Sequence, residues 1–205
     1  MPMIRQIPAI LTASVLLLWL SACVNLKPAP SQTFNYTLGP VEAAAPPQAR
    51  MQAESIYILH PQVPTYLDDD RLSYRLASGE VKNMFGARWA EPLTEGIARA
   101  MSLLLSESGL VVVEGYYPWP NTSLEAARLS LNFQRFSATE SGEVQVVARW
   151  ELKQADGPTV SGQYASDSLS WTVGEPDTLI AAYNRALRAL ALEVGENVQK
   201  PDRRP

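Results

Sequence analysis

Residues 129–153 read LSLNFQRFSATESGEVQVVARWELK, and this stretch decides the fold class. Apolar and polar side chains alternate along residues 129–133 and again along residues 144–152. An alternation of period two predicts strands with one buried face and one solvent-facing side. The pair Ser141-Gly142 is a turn signal between the two runs, so the segment predicts an antiparallel hairpin covered on one side only.

Two amphipathic segments surround this hairpin. Apolar residues fall four apart in the segment 91–108, and the stripe begins at Trp89. Gly109 supplies a stop signal, and a second helix is predicted from Asp177 to about Val198. Further strands are predicted at residues 55–59, 71–76, 110–113 and 160–171. We therefore expect a single α+β domain in which two helices pack on one face of an antiparallel or mixed β-sheet.

The N-terminus is typical of an export signal. Arg5 precedes an apolar run over residues 7–20, which contains Pro8 and is shorter than the roughly 20 residues that a membrane-spanning helix needs. The ending Leu-Ser-Ala-Cys at 20–23 resembles the lipobox of bacterial lipoproteins. That resemblance implies removal of residues 1–22 and acylation of Cys23, and Val24 in place of Asp favours the outer membrane. The alternative is a structural thiol at Cys23 or a chance cysteine near an ordinary cleavage site.

The remaining chain divides by composition. Residues 23–53 form a lipidated, Pro- and Ala-rich tether with a short predicted strand at 34–38. Residues 54–199 are the predicted α+β domain, and residues 200–205 are a basic tail.

Composition excludes several functions. A net charge of −4 argues against nucleic-acid binding, and one His with one Cys excludes a zinc site built from several such ligands. No P-loop or dinucleotide-binding motif occurs, so we expect no cofactor. His60 lacks an identifiable partner nucleophile, which predicts a protein that is not an enzyme. The run 68–70 is an Asp triplet that predicts a solvated turn, with a cation site as the alternative.

Three motifs carry a family resemblance: VPTYLD at 63–68, RLSYR at 71–75 and RWAEPL at 88–93. Together with the lipobox, they resemble the ABC-type transport auxiliary lipoprotein family, which includes the paraquat-inducible protein C lipoproteins. The chain departs from many members by having Asp69 and Asp70 after the Tyr-Leu-Asp, where a basic residue and Pro are common.

The resemblance implies a non-catalytic accessory of an ABC lipid transport system between the inner and outer membranes. Its implied partner is an MCE-domain protein, its implied anchor is a lipid in the outer membrane, and a homo-oligomeric ring is compatible with it. A second hypothesis keeps the same anchor but makes the domain a scaffold or regulator of cell-wall enzymes. A third, an envelope hydrolase, would depend on His60.

Candidate partner-binding residues come from these motifs and from the aromatic segment 116–120. The candidates are Tyr66, Asp68, Arg75, Arg88, Tyr117 and Trp119. For the two arginines the alternative is an ion pair with Glu91 or with the Asp68 turn. For the aromatic residues it is a loop folded over the sheet edge.

Overall fold

A computed structural model describes residues 32–40, 54–109, 111–119, 126–154 and 157–198. They form an α+β domain, which confirms the predicted fold class. Residues 1–31, 41–53 and 199–205 lie outside the described part, and with them Cys23, the export signal, most of the tether and the basic tail. No helix of the described residues is long and apolar enough to cross a bilayer.

The larger sheet of the described domain has six strands. They are β2 (Glu54–Ile58), β5 (Val111–Tyr116), β6 (Ala127–Ala138), β7 (Glu143–Lys153), β8 (Thr159–Ala165) and β9 (Leu169–Ser170). The order is β5-β2-β6-β7-β8, with β9 beside β7. β2 runs parallel to both β5 and β6, whereas β7 is antiparallel to β6, β8 and β9. The sheet is therefore mixed, and the predicted hairpin is β6–β7.

The predicted strand at 160–171 is wrong as a single element, because the chain forms β8 and β9 instead. Between them, the Ser166 hydroxyl accepts a hydrogen bond from the backbone N–H of Val146 at 3.1 Å. Trp171 follows β9 and is buried, and its indole N–H donates to the carbonyl of Thr139 at 3.1 Å. The break lets the chain turn back onto the start of β7.

A second sheet was not predicted. Its strands are β1 (Phe34–Tyr36), β4 (Val81–Trp89) and β3 (Arg71–Arg75), in the order β1-β4-β3. β4 contains a bulge, because Gly86 has a φ of +69° and the register with β3 shifts there. The bulge interrupts the period-two pattern, which explains why sequence periodicity did not indicate this strand.

The two helices are α1 (Leu93–Ser108) and α2 (Pro176–Val198). Gly109 ends α1 in the left-handed conformation, with a φ of +63°, as the stop signal predicted. Trp89 was assigned to the helical stripe, and this is wrong: it is the last residue of β4. Its ring lies 6.4 Å from that of Tyr183 on α2, so Trp89 packs against the core from the smaller sheet.

The core lies between the helices and one face of the larger sheet. Every second residue is buried along β7 and along β6 up to Phe133, which confirms the two-faced strands expected from the sequence. Beyond Phe133 the register of β6 with β7 shifts, and residues 136–138 are all buried. Tyr183 of α2 stacks on Phe136 of β6, with ring centroids 4.2 Å apart. The opposite face of this sheet carries the polar side chains.

Candidate functional site

The Asp triplet forms a turn whose carboxylates pair with arginines. Asp69 receives two side-chain hydrogen bonds from Arg71, at 2.9 and 2.7 Å, and a third from the Arg71 backbone N–H. These bonds hold the pKa of the Asp69 carboxyl well below its usual range and raise the pKa of Arg71. Asp70 accepts a hydrogen bond from Arg88, which lies opposite Arg71 in the β3–β4 register. The turn is therefore held by two ion pairs.

A cation site at the triplet finds no support in the described residues. No group of three His, Cys, Asp or Glu side chains there is arranged to hold a metal. The carboxylates of Asp69 and Asp70 instead form ion pairs with the guanidinium groups of Arg71 and Arg88. Two ion pairs are predicted as alternatives for Arg88, one with Glu91 and one with the Asp turn. The structure shows the second, formed with Asp70.

Glu91 pairs with Arg99 of α1, not with Arg75 or Arg88. The Arg99 Nε lies 3.0 Å from Oε1 of Glu91, and its Nη2 lies 2.5 Å from the same oxygen. Nη2 also donates to the carbonyl of Leu38 at 2.9 Å. This cluster ties the segment after β1 to the first helix, which gives Glu91 of the RWAEPL motif a structural role.

Arg75 lies at the other end of β3 from the Asp turn. Its backbone bridges Thr139, and its carbonyl accepts a hydrogen bond from the N–H of Glu140 at 2.9 Å. The side chain is exposed and makes no ion pair within the described residues. Arg75 therefore lies where the smaller sheet joins the larger one.

The smaller sheet also exposes large apolar side chains. Phe85, beside the bulge in β4, is 92% exposed, and Phe34 on the edge strand β1 is 57% exposed. Phe34 pairs with Ala87, two residues from Phe85. Tyr66, in the single-turn helix Thr65–Leu67, is 42% exposed, and Asp68 follows it in an exposed position. We call this sheet, with its exposed phenylalanines and Arg88, the small-sheet surface.

An aromatic cluster lies at the end of β2 and β5. The ring of Tyr117 lies 4.1 Å from that of His60, and the backbone N–H of Tyr117 donates to the carbonyl of Ile58 at 2.9 Å. The Tyr57 hydroxyl donates to the carbonyl of Trp119, whose side chain is 66% exposed. The loop is thus fastened through its backbone while the indole faces solvent.

His60 has the surroundings of a packed surface residue. Among the described residues its one ring contact is with Tyr117, and it has no hydrogen bond to a carboxylate or hydroxyl. A general base needs such an oriented partner, so the geometry does not support a hydrolytic site there.

A polar groove lies next to His60, on the face of the larger sheet that the helices leave open. Its volume is about 660 Å³. The lining includes the amides of Gln62, Asn132, Gln134 and Gln163. The sequence pattern does not reveal this groove, because alternation places a residue such as Asn132 on the solvent-facing side of its strand without giving its neighbours. The amide character of the lining residues, in place of the usual Lys and Glu, was the available signal.

The six candidate residues do not form one site. Tyr66, Asp68 and Arg88 belong to the small-sheet surface and the turn beside it, and Arg75 lies at the far end of β3. Tyr117 and Trp119 follow β5, on the larger sheet. Sequence motifs alone could not separate these groups.

The sequence profile of the ABC-type transport auxiliary lipoprotein component family matches residues 36–195. The chain belongs to this family. The match covers the larger sheet, β3 and β4 of the smaller sheet, α1 and nearly all of α2, so the described auxiliary lipoprotein domain is the family domain. Membership makes the chain a lipoprotein component of ABC-type transport and implies a cell-envelope location.

Solved structures support the fold of this auxiliary lipoprotein domain. A crystal structure titled only as an uncharacterized protein has a TM-score of 0.64 at 16% identity, covering 82% of this chain and 99% of its own. A Xanthomonas campestris protein of the DUF330 family has a TM-score of 0.56 at 16% identity, covering 80% of this chain and 91% of its own. Comparison with curated proteins gives no match.

Proposed function

We propose that this lipoprotein is a non-catalytic accessory of an MCE-type ABC lipid transport system, anchored in the outer membrane through Cys23. The family match over residues 36–195 carries the proposal, because it makes the domain an auxiliary component of ABC-type transport. The lipobox ending at Cys23 supports the anchor. Residues 24–53 would then let the domain extend from the membrane into the periplasm.

The surroundings of the titratable groups support a non-catalytic role. Asp69, Asp70 and Glu91 form ion pairs with arginines, and His60 packs on Tyr117. Polar groups fixed in ion pairs position backbone and are poor candidates for proton transfer. The domain is therefore proposed to act by binding.

We propose the small-sheet surface as the part that contacts the MCE-domain partner. The apolar side chains of Phe85 and Phe34 are exposed to water, which is energetically unfavourable, and Arg88 lies on the same sheet. Exposed aromatic residues beside an arginine are enriched in protein interfaces. Tyr66, Asp68 and Arg75 remain predicted contacts on the elements around this surface.

Co-purification of the full chain with its MCE-domain protein from detergent tests the partner. We expect Phe85→Ser and Arg88→Glu to reduce the recovered partner strongly, because each removes a side chain of the proposed interface. Leu192→Ser on α2 is the matched control, since Leu192 is 46% exposed and lies on another element. Failure of the wild-type chain to recover any MCE protein would overturn the partner assignment.

The anchor requires a separate experiment. Wild-type protein should fractionate with the outer membrane and carry acyl chains on Cys23, as measured by intact mass. Cys23→Ala should appear in the soluble fraction or keep its export signal. Recovery of an unmodified wild-type Cys23 would contradict the proposed anchor.

A further inference from the structure

The polar groove has the dimensions of a ligand site. Its volume of about 660 Å³ falls within the range of roughly 300–1,000 Å³ typical of small-molecule sites. The floor is the open face of β6, β7 and β8, and the chain after β2 forms one wall. That wall is fixed because the backbone of Gln62 donates to Leu131 at 2.9 Å and accepts from Phe133 at 2.8 Å.

The lining is polar but nearly neutral. Asn132 donates to the side-chain carbonyl of Gln62 at 2.9 Å, which leaves the remaining amide groups of this pair for a ligand. Gln134 and Gln163 make no side-chain hydrogen bond within the described residues. Amides both donate and accept, so they match hydroxyl groups, which do the same.

The two charged residues of the groove have opposite charges. Arg149 and Glu151 are neighbours on the same face of β7, and neither forms an ion pair within the described residues. Their formal charges cancel, so the lining has no excess charge to attract a phosphate or a cation. Ser130 and Ser161 add two further hydroxyls.

Aromatic rings stand at one end of the groove. His60 lines it, and the His60 ring lies 4.1 Å from the ring of Tyr117. An aromatic face provides apolar area for a ligand that also carries polar groups. The backbone N–H of Tyr117 donates to the Ile58 carbonyl at 2.9 Å, so the backbone that carries this ring is already ordered before binding.

We propose that the polar groove binds an uncharged glycan chain, with its hydroxyls on the amide side chains and a sugar face on the aromatic end. An acyl chain would leave the amide groups of the lining without hydrogen-bond partners, and the negative charge of Glu151 beside Arg149 opposes an anionic headgroup. A neutral, hydroxyl-rich chain fits both the amide lining and the cancelled charges. This site is distinct from the small-sheet surface, so the inference goes beyond the proposed transport role.

The test is calorimetric titration of the detergent-solubilised full chain with short oligomers of glucose and of N-acetylglucosamine. We expect binding to at least one of these neutral series. His60→Ala and Gln134→Ala should each weaken it about tenfold, the equivalent of ~1.4 kcal/mol. Phe85→Ala, an exposed aromatic residue of the other sheet, should leave the affinity unchanged, and thermal melts should verify that each variant is folded.

Three outcomes overturn the proposal. The first is absence of binding to either series at millimolar concentrations. The second is binding that survives His60→Ala and Gln134→Ala in folded protein. The third is His60-dependent binding to anionic phospholipid vesicles without glycan binding, which would assign the surface to the membrane. Gln134→Ala should still recover the MCE-domain protein, so failure of this site and failure of the transport role are distinguishable.

Discussion

The indole of Trp150 occupies the space beside Gly162 on the neighbouring strand. The two residues are register partners in the β7–β8 pair, and a Cβ atom at position 162 would lie 2.5 Å from the ring. The indole N–H donates to Glu193 of α2 at 3.0 Å. The glycine thus makes room for a buried ring that joins the sheet to the last helix.

Gly162→Ala should lower the free energy of unfolding by about 1–3 kcal/mol, because the added methyl group forces the indole or the strand to move. Chemical denaturation of purified protein measures this. Ser161→Ala is the control, since Ser161 is exposed on the same strand and should change stability by less than about 0.5 kcal/mol. Equal stability of the two variants would show that the indole has space to relax.

Arg99→Ala should destabilise the domain by about 1–3 kcal/mol, because the half-buried Glu91 carboxylate and the Leu38 carbonyl lose their donor. The double variant with Glu91→Gln should cost less than the sum of the single changes, since the two residues act as one cluster. Denaturation of the four proteins in this cycle gives the coupling. Additive effects would contradict a joint role for this ion pair.

Tyr183→Phe should leave stability at neutral pH within about 1 kcal/mol or raise it, because the buried hydroxyl makes no hydrogen bond within the described residues. Burial raises the pKa of Tyr183 far above its ordinary value. Below pH of about 10 the phenol is neutral in the folded and the unfolded chain alike, so its contribution to stability is complete. Above that pH the unfolded chain ionises more readily than the folded domain, so the contribution is lost as pH rises.

Denaturation at a series of alkaline pH values checks this sign. The wild-type free energy of unfolding should fall more steeply above pH 10 than that of Tyr183→Phe, which has no phenol to ionise. Tyr183→Leu should lack that extra slope too, but should cost about 1–3 kcal/mol at neutral pH by removing the ring that stacks on Phe136. Parallel alkaline curves for wild type and Tyr183→Phe would contradict the prediction.

Arg71→Gln should raise the pKa of the Asp69 carboxyl toward its ordinary value, because most of its hydrogen bonds come from Arg71. Since the folded-state pKa is depressed, the pair stabilises the domain above pH of about 4, and the contribution disappears as pH falls through the folded value. A carboxyl-carbon NMR titration measures the shift. Arg75→Gln on the same strand is the control and should not move it.

The sequence patterns predicted the parts of the fold that are locally determined. The alternation around Leu131 and Val146 gave the β6–β7 hairpin, and Gly109 correctly ended α1. β4 was missed because the bulge at Gly86 breaks the period and places Phe85 in solvent. The parallel neighbours of β2 could not be predicted either, since a strand's own residues do not specify its partners.

The candidate site was predictable to a similar extent. The motifs identified Arg88 as a candidate partner-binding residue, but its contacts depend on register: Arg88 reaches Asp70 because β3 and β4 pair. Asn132, Gln134 and Gln163 share one surface only because β6, β7 and β8 lie side by side in the sheet. Alternation gives the face of a strand, and only tertiary structure gives its neighbours.

The position of β2 between β5 and β6 has a consequence for how the domain folds. β2 is made early, yet both of its partners, β5 and β6, follow α1 in the chain. Ile56 and Ile58 therefore have no sheet to enter until most of the domain has been synthesised. Because such distant pairings slow folding, a chain truncated before β6 should stay unfolded, and the domain should gain its core only in a late, cooperative step.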